Sequence, residues 1–248
     1  MVRRLAGAAA SFLAAYENDD GDLEHDGESA LLARLATGEP VVVVDVGANV
    51  GTWSAAARRS FPASVIHAFE PSPPTFEQLR ARLGGDPAIV LHQAALGSEA
   101  GVAELSFDPT HPEVATLTKG ASVGAQRFEI AVETGDQFVA DAGIERIHLL
   151  KVDAEGHDLP VLRGFQDLFA RGGVDMVQFE VTLWNAIVRT WVRDMLDAIG
   201  EGWAVGRIFP DHVEFDPYRP EHEQFQHRQN FLTVRVDRAD LLTAAAGS

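Results

Sequence analysis

The sequence predicts an α/β protein whose core is a doubly wound, mostly parallel sheet, and three observations predict it. Strand-like apolar runs alternate with helix-period segments along most of the chain, which implies parallel strands covered by helices. The first run, Val41 to Val44, is continuously apolar, as a strand buried on both faces must be. That run ends in the glycine turn "DVGANVGTWS", and in an open parallel sheet ligands bind beyond the carboxyl ends of the strands.

In chain order, a helix is expected near 28–37, then the valine strand near 41–46 and a helix near 52–60 following the glycine turn. The run "SVIHAF" predicts a strand near 64–69, followed by a helix near 74–83 and a strand near 88–94. "GVAELSFD" and "RFEIAV" flank a Gly-, Thr- and Ser-rich stretch, 108–126, so the third crossover is replaced by extra strands and a loop. A helix near 134–142 leads to a strand near 147–153, a helix near 158–170, a strand near 174–181 and a helix near 185–200. Strands near 203–209 and 230–236 close the pattern as a hairpin, joined by a long polar connection able to cover a ligand.

The chain has 248 residues, 46% hydrophobic and 23% charged, which suits one large domain (39–248) with N-terminal helices, 1–38, packed on it. A net charge of −17, with Lys119 and Lys151 the only lysines, excludes a nucleic-acid surface, because phosphate neutralisation needs clustered cations. The absence of cysteine excludes disulfides, thiolate metal sites and cysteine nucleophiles. Leu5, Phe12, Leu13 and Tyr16 recur at helical spacing ahead of an acidic stretch without a clear cleavage site. They predict a lid or packing helix on a cytoplasmic protein, and no segment is long and apolar enough to span a bilayer. The sequence is compatible with a homo-oligomer.

The glycine turn excludes several ligands. Asn49 stands where a dinucleotide fingerprint needs its second glycine, and no third glycine follows at the required place. No Gly-Lys-Ser/Thr element cradles a phosphate, and neither Tyr16 nor Tyr218 has the lysine four residues on that hydride transfer in short-chain dehydrogenases uses. Glu70 follows the next strand about 20 residues beyond the turn, where a carboxylate accepts ribose hydroxyls in nucleotide folds. A glycine turn without pyrophosphate machinery, joined to a ribose acid, points to an adenosyl ligand with an amino-acid tail, S-adenosylmethionine. Alternatively, Asp45 and Glu70 only cap neighbouring helices.

The blocks "VDVGANVGTWS", "AFEPSPPTFEQLR", "HQAALGSEAG", "VETGDQF" and "LLKVDAEGHDLPVLRGF" resemble those of FkbM-type S-adenosylmethionine-dependent methyltransferases. The resemblance covers roughly 39–183, and "QNFLTV" resembles the family's final strand. It implies a Rossmann-like class I methyltransferase fold, a seven-stranded sheet with the last strand antiparallel. It also implies O-methylation of a sugar, glycosylated or polyketide-like natural product, with S-adenosylhomocysteine (SAH) as product. Carried over, Asp45, Gly47, Asn49 and Gly51 line the methionine part of the cofactor, and Glu70 binds ribose. Pro71, Ser72, Ala94 and Ala95 flank ribose and adenine. Residues 1–27, 108–126 and 210–228, poorly covered by the resemblance, are expected to face the substrate.

Methyl transfer to a hydroxyl of a small molecule or glycan needs an in-line acceptor oxygen and a base. The candidates are Asp153, Glu155 and His157, just beyond the 147–153 strand, with His157 carrying the best-suited unperturbed pKa. Asp153 and Glu155 could also orient the hydroxyl or hold a divalent metal, which the sequence does not favour. The structural alternatives are that Asp153 only touches the cofactor, Glu155 holds the turn and His157 begins a helix capped by itself or Asp158. Lys151 shares a strand face with Asp153 and is expected to pair with Asp45 or Glu180 rather than to react. His212, His222 and His227, with Asp211, Glu221 and Glu223, read as a solvated acidic loop. Among the tryptophans, Trp184 is the candidate for stacking against a sugar. N-methylation, metal-assisted O-methylation and a noncatalytic cofactor-binding scaffold remain alternatives.

Overall fold

The computed structural model describes residues 7, 12, 18, 19, 21–109, 115–117 and 126–247. The expected N-terminal lid helix therefore falls almost wholly outside the described residues, as does most of the 108–126 stretch. In chain order the elements are α1 (Glu28–Arg34), β1 (Val42–Val46), α2 (Thr52–Ser60), β2 (Val65–Phe69), α3 (Pro73–Leu83), β3 (Ile89–His92) and β4 (Ala95–Leu96). Then come β5 (Gly101–Phe107), β6 (Ala115–Thr116), β7 (Gln126–Glu133), α4 (Gly135–Asp141), β8 (Ile147–Val152), α5 (Asp158–Arg163), α6 (Gln166–Ala170) and β9 (Val174–Val181). The chain ends with α7 (Leu183–Val188), α8 (Val192–Ile199), β10 (Trp203–Ile208), β11 (Val213–Phe215), a short 3-10 turn, β12 (Gln229–Arg235) and α9 (Ala239–Ala246).

The main sheet runs β11-β10-β12-β9-β8-β1-β2-β3. Strands β3, β2, β1, β8 and β9 are parallel, and β12 inserts antiparallel between β9 and β10. The expected seven strands become eight. A three-residue strand, β11, pairs with β10 from Gly206 opposite Phe215 to Ile208 opposite Val213, because Val213 can bury its side chain against the core there. The extra strands read between β3 and α4 form a separate sheet, β4-β7-β5-β6.

Alternation along β1 divides the core. Val44 and Val46 join the apolar layer of α4 to α6 and α8, while Val43 joins the opposite layer with α1, α2 and α9. Two long predicted helices are each broken in two, and in both cases a remote carboxylate caps the second piece. Asp136 accepts hydrogen bonds from the Asp167 and Leu168 N–H groups (both 2.9 Å), starting α6. Glu223 accepts from Val192 (2.9 Å) and Arg193 (3.1 Å), starting α8. The C-terminal α9 was not expected from the sequence, although "ADLLTAAA" is rich in strong helix formers.

At the amino ends of the strands, Asp175 joins Arg146 (2.5 Å), Arg238 (2.6 Å) and His148 (3.3 Å). Burial opposes its charge, but hydrogen bonds from His148, Arg238 and Arg146 hold its carboxyl down to about 2. Among the described residues, no helix is long and apolar enough to cross a membrane.

Candidate active site

At the carboxyl ends of the parallel strands, the loop after β1 is threaded between those after β2 and β8. The N–H groups of Gly47 and Ala48 donate to the Phe69 carbonyl (3.0 and 2.9 Å), and the Asp153 N–H donates to the Val46 carbonyl (3.0 Å). Gly47 has φ +82°, and a Cβ there would stand 1.8 Å from the Asp153 carbonyl oxygen. No other residue fits this crossing. Gly47→Ala is therefore expected to cost about 2–4 kcal/mol of stability, read by urea denaturation, because it must part the two loops. Stability equal to wild type would contradict that close approach.

The same loop organises Glu70. The Asn49 N–H donates to one carboxylate oxygen (3.0 Å) and the Ser72 N–H to the other (2.8 Å). Asn49 itself adopts φ +50°, a conformation that asparagine tolerates better than most residues. Glu70 is 5% exposed, and burial pushes its carboxyl up to about 7 against the pull of those two hydrogen bonds. A carboxylate offers about four acceptor sites, so two stay open toward the neighbouring space.

That space is a partly open cavity at the carboxyl ends of the strands. Its walls include Gly47, Asn49, Glu70, Pro71, Ala94 and Ala95 from the cofactor set, and Asp153, Glu155 and His157 from the catalytic set. Three predicted residues stand behind the walls instead. Asp45 is fully buried, accepting from the Ser54 hydroxyl (2.6 Å) and lying 3.8 Å from Lys151 Nζ. Gly51 faces Leu79 and Leu83 of α3. Ser72 is buried, its hydroxyl accepting from Thr75 (3.0 Å).

Sequence reasoning missed part of the lining. Leu105 and Leu117 reach the cavity from the second sheet and its β6 edge, and Thr75 reaches it from α3. Together with Phe69 and Leu96, they make one side apolar. Only the folding of the β4–β7 sheet against the strand ends puts Leu105 and Leu117 there.

A charged cluster lies behind Asp153. Lys151 Nζ donates to Asp153 (3.0 Å) and lies 5.8 Å from the centre of the Trp53 ring. Burial opposes the lysine charge, but Asp153, Asp45 and Glu28 together hold it above its ordinary pKa. Glu28, on α1, is itself pushed up to about 8 by burial and accepts from the Gln178 amide. The expected alternative partner, Glu180, pairs instead with Arg228 (3.2 Å), which approaches from the loop before β12. Neither Glu28 nor Arg228 gave a signal in the sequence, because both arrive from distant elements.

The loop after β8 carries the remaining candidates. Glu155 has φ +48°, and burial, reinforced by Asp153 and Asp158, pushes its carboxyl up to about 8. Asp158 does not use its side chain to cap α5. Its carboxylate turns back to accept from the Ala154 (2.8 Å) and Gly156 (3.2 Å) N–H groups, bracing the loop. His157 occupies the N-cap position without a side-chain capping bond. Its Nε2 faces Gly97, where an added Cβ would stand 3.2 Å away. Burial lowers its pKa, so the imidazole is neutral at neutral pH and able to accept a proton.

The loop histidines lie elsewhere. His212 contacts Asp211, His227 contacts Asp19, and His222 packs against Tyr218 and Phe231. Among the described residues, no three His, Asp or Glu side chains are grouped to hold a metal ion. Trp184 rests on the β8 loop, its Cβ 3.3 Å from where a Cβ on Gly156 would be.

Comparison with known proteins follows the same residues. The methyltransferase FkbM domain family matches residues 45–231. Methyltransferase sdnD of Sordaria araneosa is 30% identical over 212 residues, covering 71% of this chain and 77% of that protein. The 31-O-demethyl-FK506 methyltransferase FkbM of Streptomyces tacrolimicus is 32% identical, over 51% of this chain and 60% of its own length. Hexuronic acid methyltransferase AglP of Haloferax volcanii is 32% identical, over 66% and 67%. Among solved structures, the precorrin-6y C5,15-methyltransferase of Geobacter metallireducens superposes with a TM-score of 0.46 at 12% identity, over 84% of this chain and 86% of that one. The family match runs from Asp45, at the end of β1, to Phe231 in β12, and so spans every strand that builds the cavity: the chain belongs to the FkbM family of methyltransferases.

Proposed function

We propose that the protein transfers a methyl group from S-adenosylmethionine to a hydroxyl of a sugar or of a glycosylated or polyketide-like small molecule. The buried Glu70 carboxylate carries this reading. It is fixed by two backbone N–H groups, and its open acceptor sites suit the two hydroxyls of a ribose. The donor set fits the rest of such a cofactor as well. Phe69, Ala94, Ala95 and Leu96 offer an apolar surface for a base, and the Gly47–Asn49 turn and Asp153 offer polar groups for an amino-acid tail. The names of two relatives point to 31-O-demethyl-FK506 and to hexuronic acid; the first supports oxygen as the acceptor and the second a sugar as its carrier.

Bound S-adenosylmethionine supplies an electrophilic methyl group on a sulfonium. The chain's part is to seat the cofactor, hold the acceptor oxygen in line and remove its proton. Asp153, pinned by Lys151, presents its carboxylate at the charged end of the cavity, where negative charge favours a sulfonium over a neutral thioether. His157, neutral and facing the same space, accepts the hydroxyl proton as the new C–O bond forms and the S–CH₃ bond breaks. Glu155 hydrogen-bonds the acceptor.

Calorimetric titration with SAH tests the reading, and a folded protein that takes up none overturns it. His157→Gln is expected to lower kcat by about 10²–10⁴ while leaving SAH affinity unchanged. In the wild type saturated with cofactor and acceptor, kcat falls below the histidine's lowered pKa, since the base must be unprotonated. That acid limb should vanish in the variant, and an unchanged pH profile would assign the base elsewhere.

A further inference from the structure

Helix α7 presents an apolar face beside the cavity. It reads Leu-Trp-Asn-Ala-Ile-Val, and its one polar residue, Asn185, is turned inward to accept from the Thr182 N–H (2.8 Å). Leu183 and Ile187, one turn apart on α7, are 62% and 53% exposed, and Trp191, the N-cap residue of α8, is 49% exposed. Exposed large apolar side chains grouped in this way mark a binding surface more often than chance.

Two observations say what lies on it. The helix is continuous with the site, because Trp184 and Val188 close on Gly156, between the cavity-lining residues Glu155 and His157. The net charge of −17 opposes the approach of a second copy or of an anionic lipid surface and leaves a neutral apolar ligand unopposed.

Resting on the proposed O-methyl transfer, we propose that Leu183, Ile187 and Trp191 form a specificity platform for the acceptor's apolar skeleton. The substrate class is then an amphipathic hydroxyl compound, whose ring system or chain lies on α7 while its hydroxyl enters beside His157. A free, fully polar sugar lacks the group this surface binds. Trp191, at the start of α8, packs 5.3 Å from the Phe225 ring.

The test uses octyl β-glucoside below its micellar concentration and methyl β-glucoside, which share their hydroxyls and differ only in the alkyl group. Each is titrated into the full chain saturated with SAH. Wild type is expected to bind the octyl compound about tenfold more tightly, and Leu183→Ser/Ile187→Ser should erase the preference with SAH affinity intact. Both residues are largely exposed, so the variant should fold, and its SAH titration verifies this. Ile187→Lys alone should reduce the preference in the same direction. Equal binding of the two glucosides by wild type, or a preference that survives in the folded variants, overturns the platform. So does a wild-type dimer in sedimentation that either variant dissociates, which would make α7 a self-interface. Failure to bind SAH at all strikes the cofactor reading instead.

Discussion

Glu70→Ala is expected to weaken SAH binding by about a hundredfold or more, because it removes two hydrogen bonds to an ionised acceptor worth about 1.5–3 kcal/mol each. Isothermal titration measures this directly, and wild-type affinity in the variant would contradict the ribose assignment. The carboxyl's raised pKa gives the prediction a second arm. Without ligand, Glu70 stands at about 7 because burial disfavours its charge, whereas ribose hydroxyls donate to the ionised form. SAH affinity should therefore fall as pH drops below about 7, and binding near neutrality should release a proton, seen as buffer-dependent heats. The alanine variant should lose both signatures. The sign for stability is the reverse. A carboxyl raised above its unfolded value contributes stability that is present at low pH and lost as pH rises through its folded pKa. The ligand-free protein should thus lose stability between about pH 5 and 8, with Asp158, raised to about 6 by burial, adding to the effect.

Lys151→Met is expected to have the largest effect on folding. Asp45 is wholly buried, and among the described residues one of its oxygens has no hydrogen-bond partner, only the lysine charge 3.8 Å away. Removing one member of a buried pair costs about 3–5 kcal/mol, which should lower the Tm by about 10 °C in a domain of this size. Burial already raises the Asp45 carboxyl. Without Lys151 it rises further, so the variant's deficit should grow as pH climbs above the ordinary carboxylate range. Asp45→Asn in the same chain should restore part of the loss, because a neutral amide needs no counter-charge. A Tm within about 2 °C of wild type at pH 8 would show that Lys151 is not the charge that holds this cluster together.

The local signals in the sequence were strong where one element decides its own form. The valine run gave β1, the glycine turn gave the crossing at Gly47, and Glu70 at the next strand end gave the acid of the cavity. Asp153, Glu155 and His157 reach the same cavity because they leave β8, which lies beside β1. Other readings failed where a distant partner decides. The 158–170 and 185–200 helices look continuous by periodicity, yet Asp136 and Glu223 each start a new helix within them. Asp45, Gly51 and Ser72 follow the right motifs but face Lys151, α3 and Thr75.

By itself, then, the sequence determined the alternation of strands and helices, the FkbM-type blocks and the residues at the strand ends, since each depends on chemistry within a short stretch of chain. The tertiary structure alone decided that Glu28 and Arg228 join the charged cluster, that Leu105 and Leu117 wall the cavity and that α7 keeps an apolar face outward. Those arrangements depend on strand order and on how loops cross. Hydrophobic periodicity records which face of an element is buried, but not which remote element covers it.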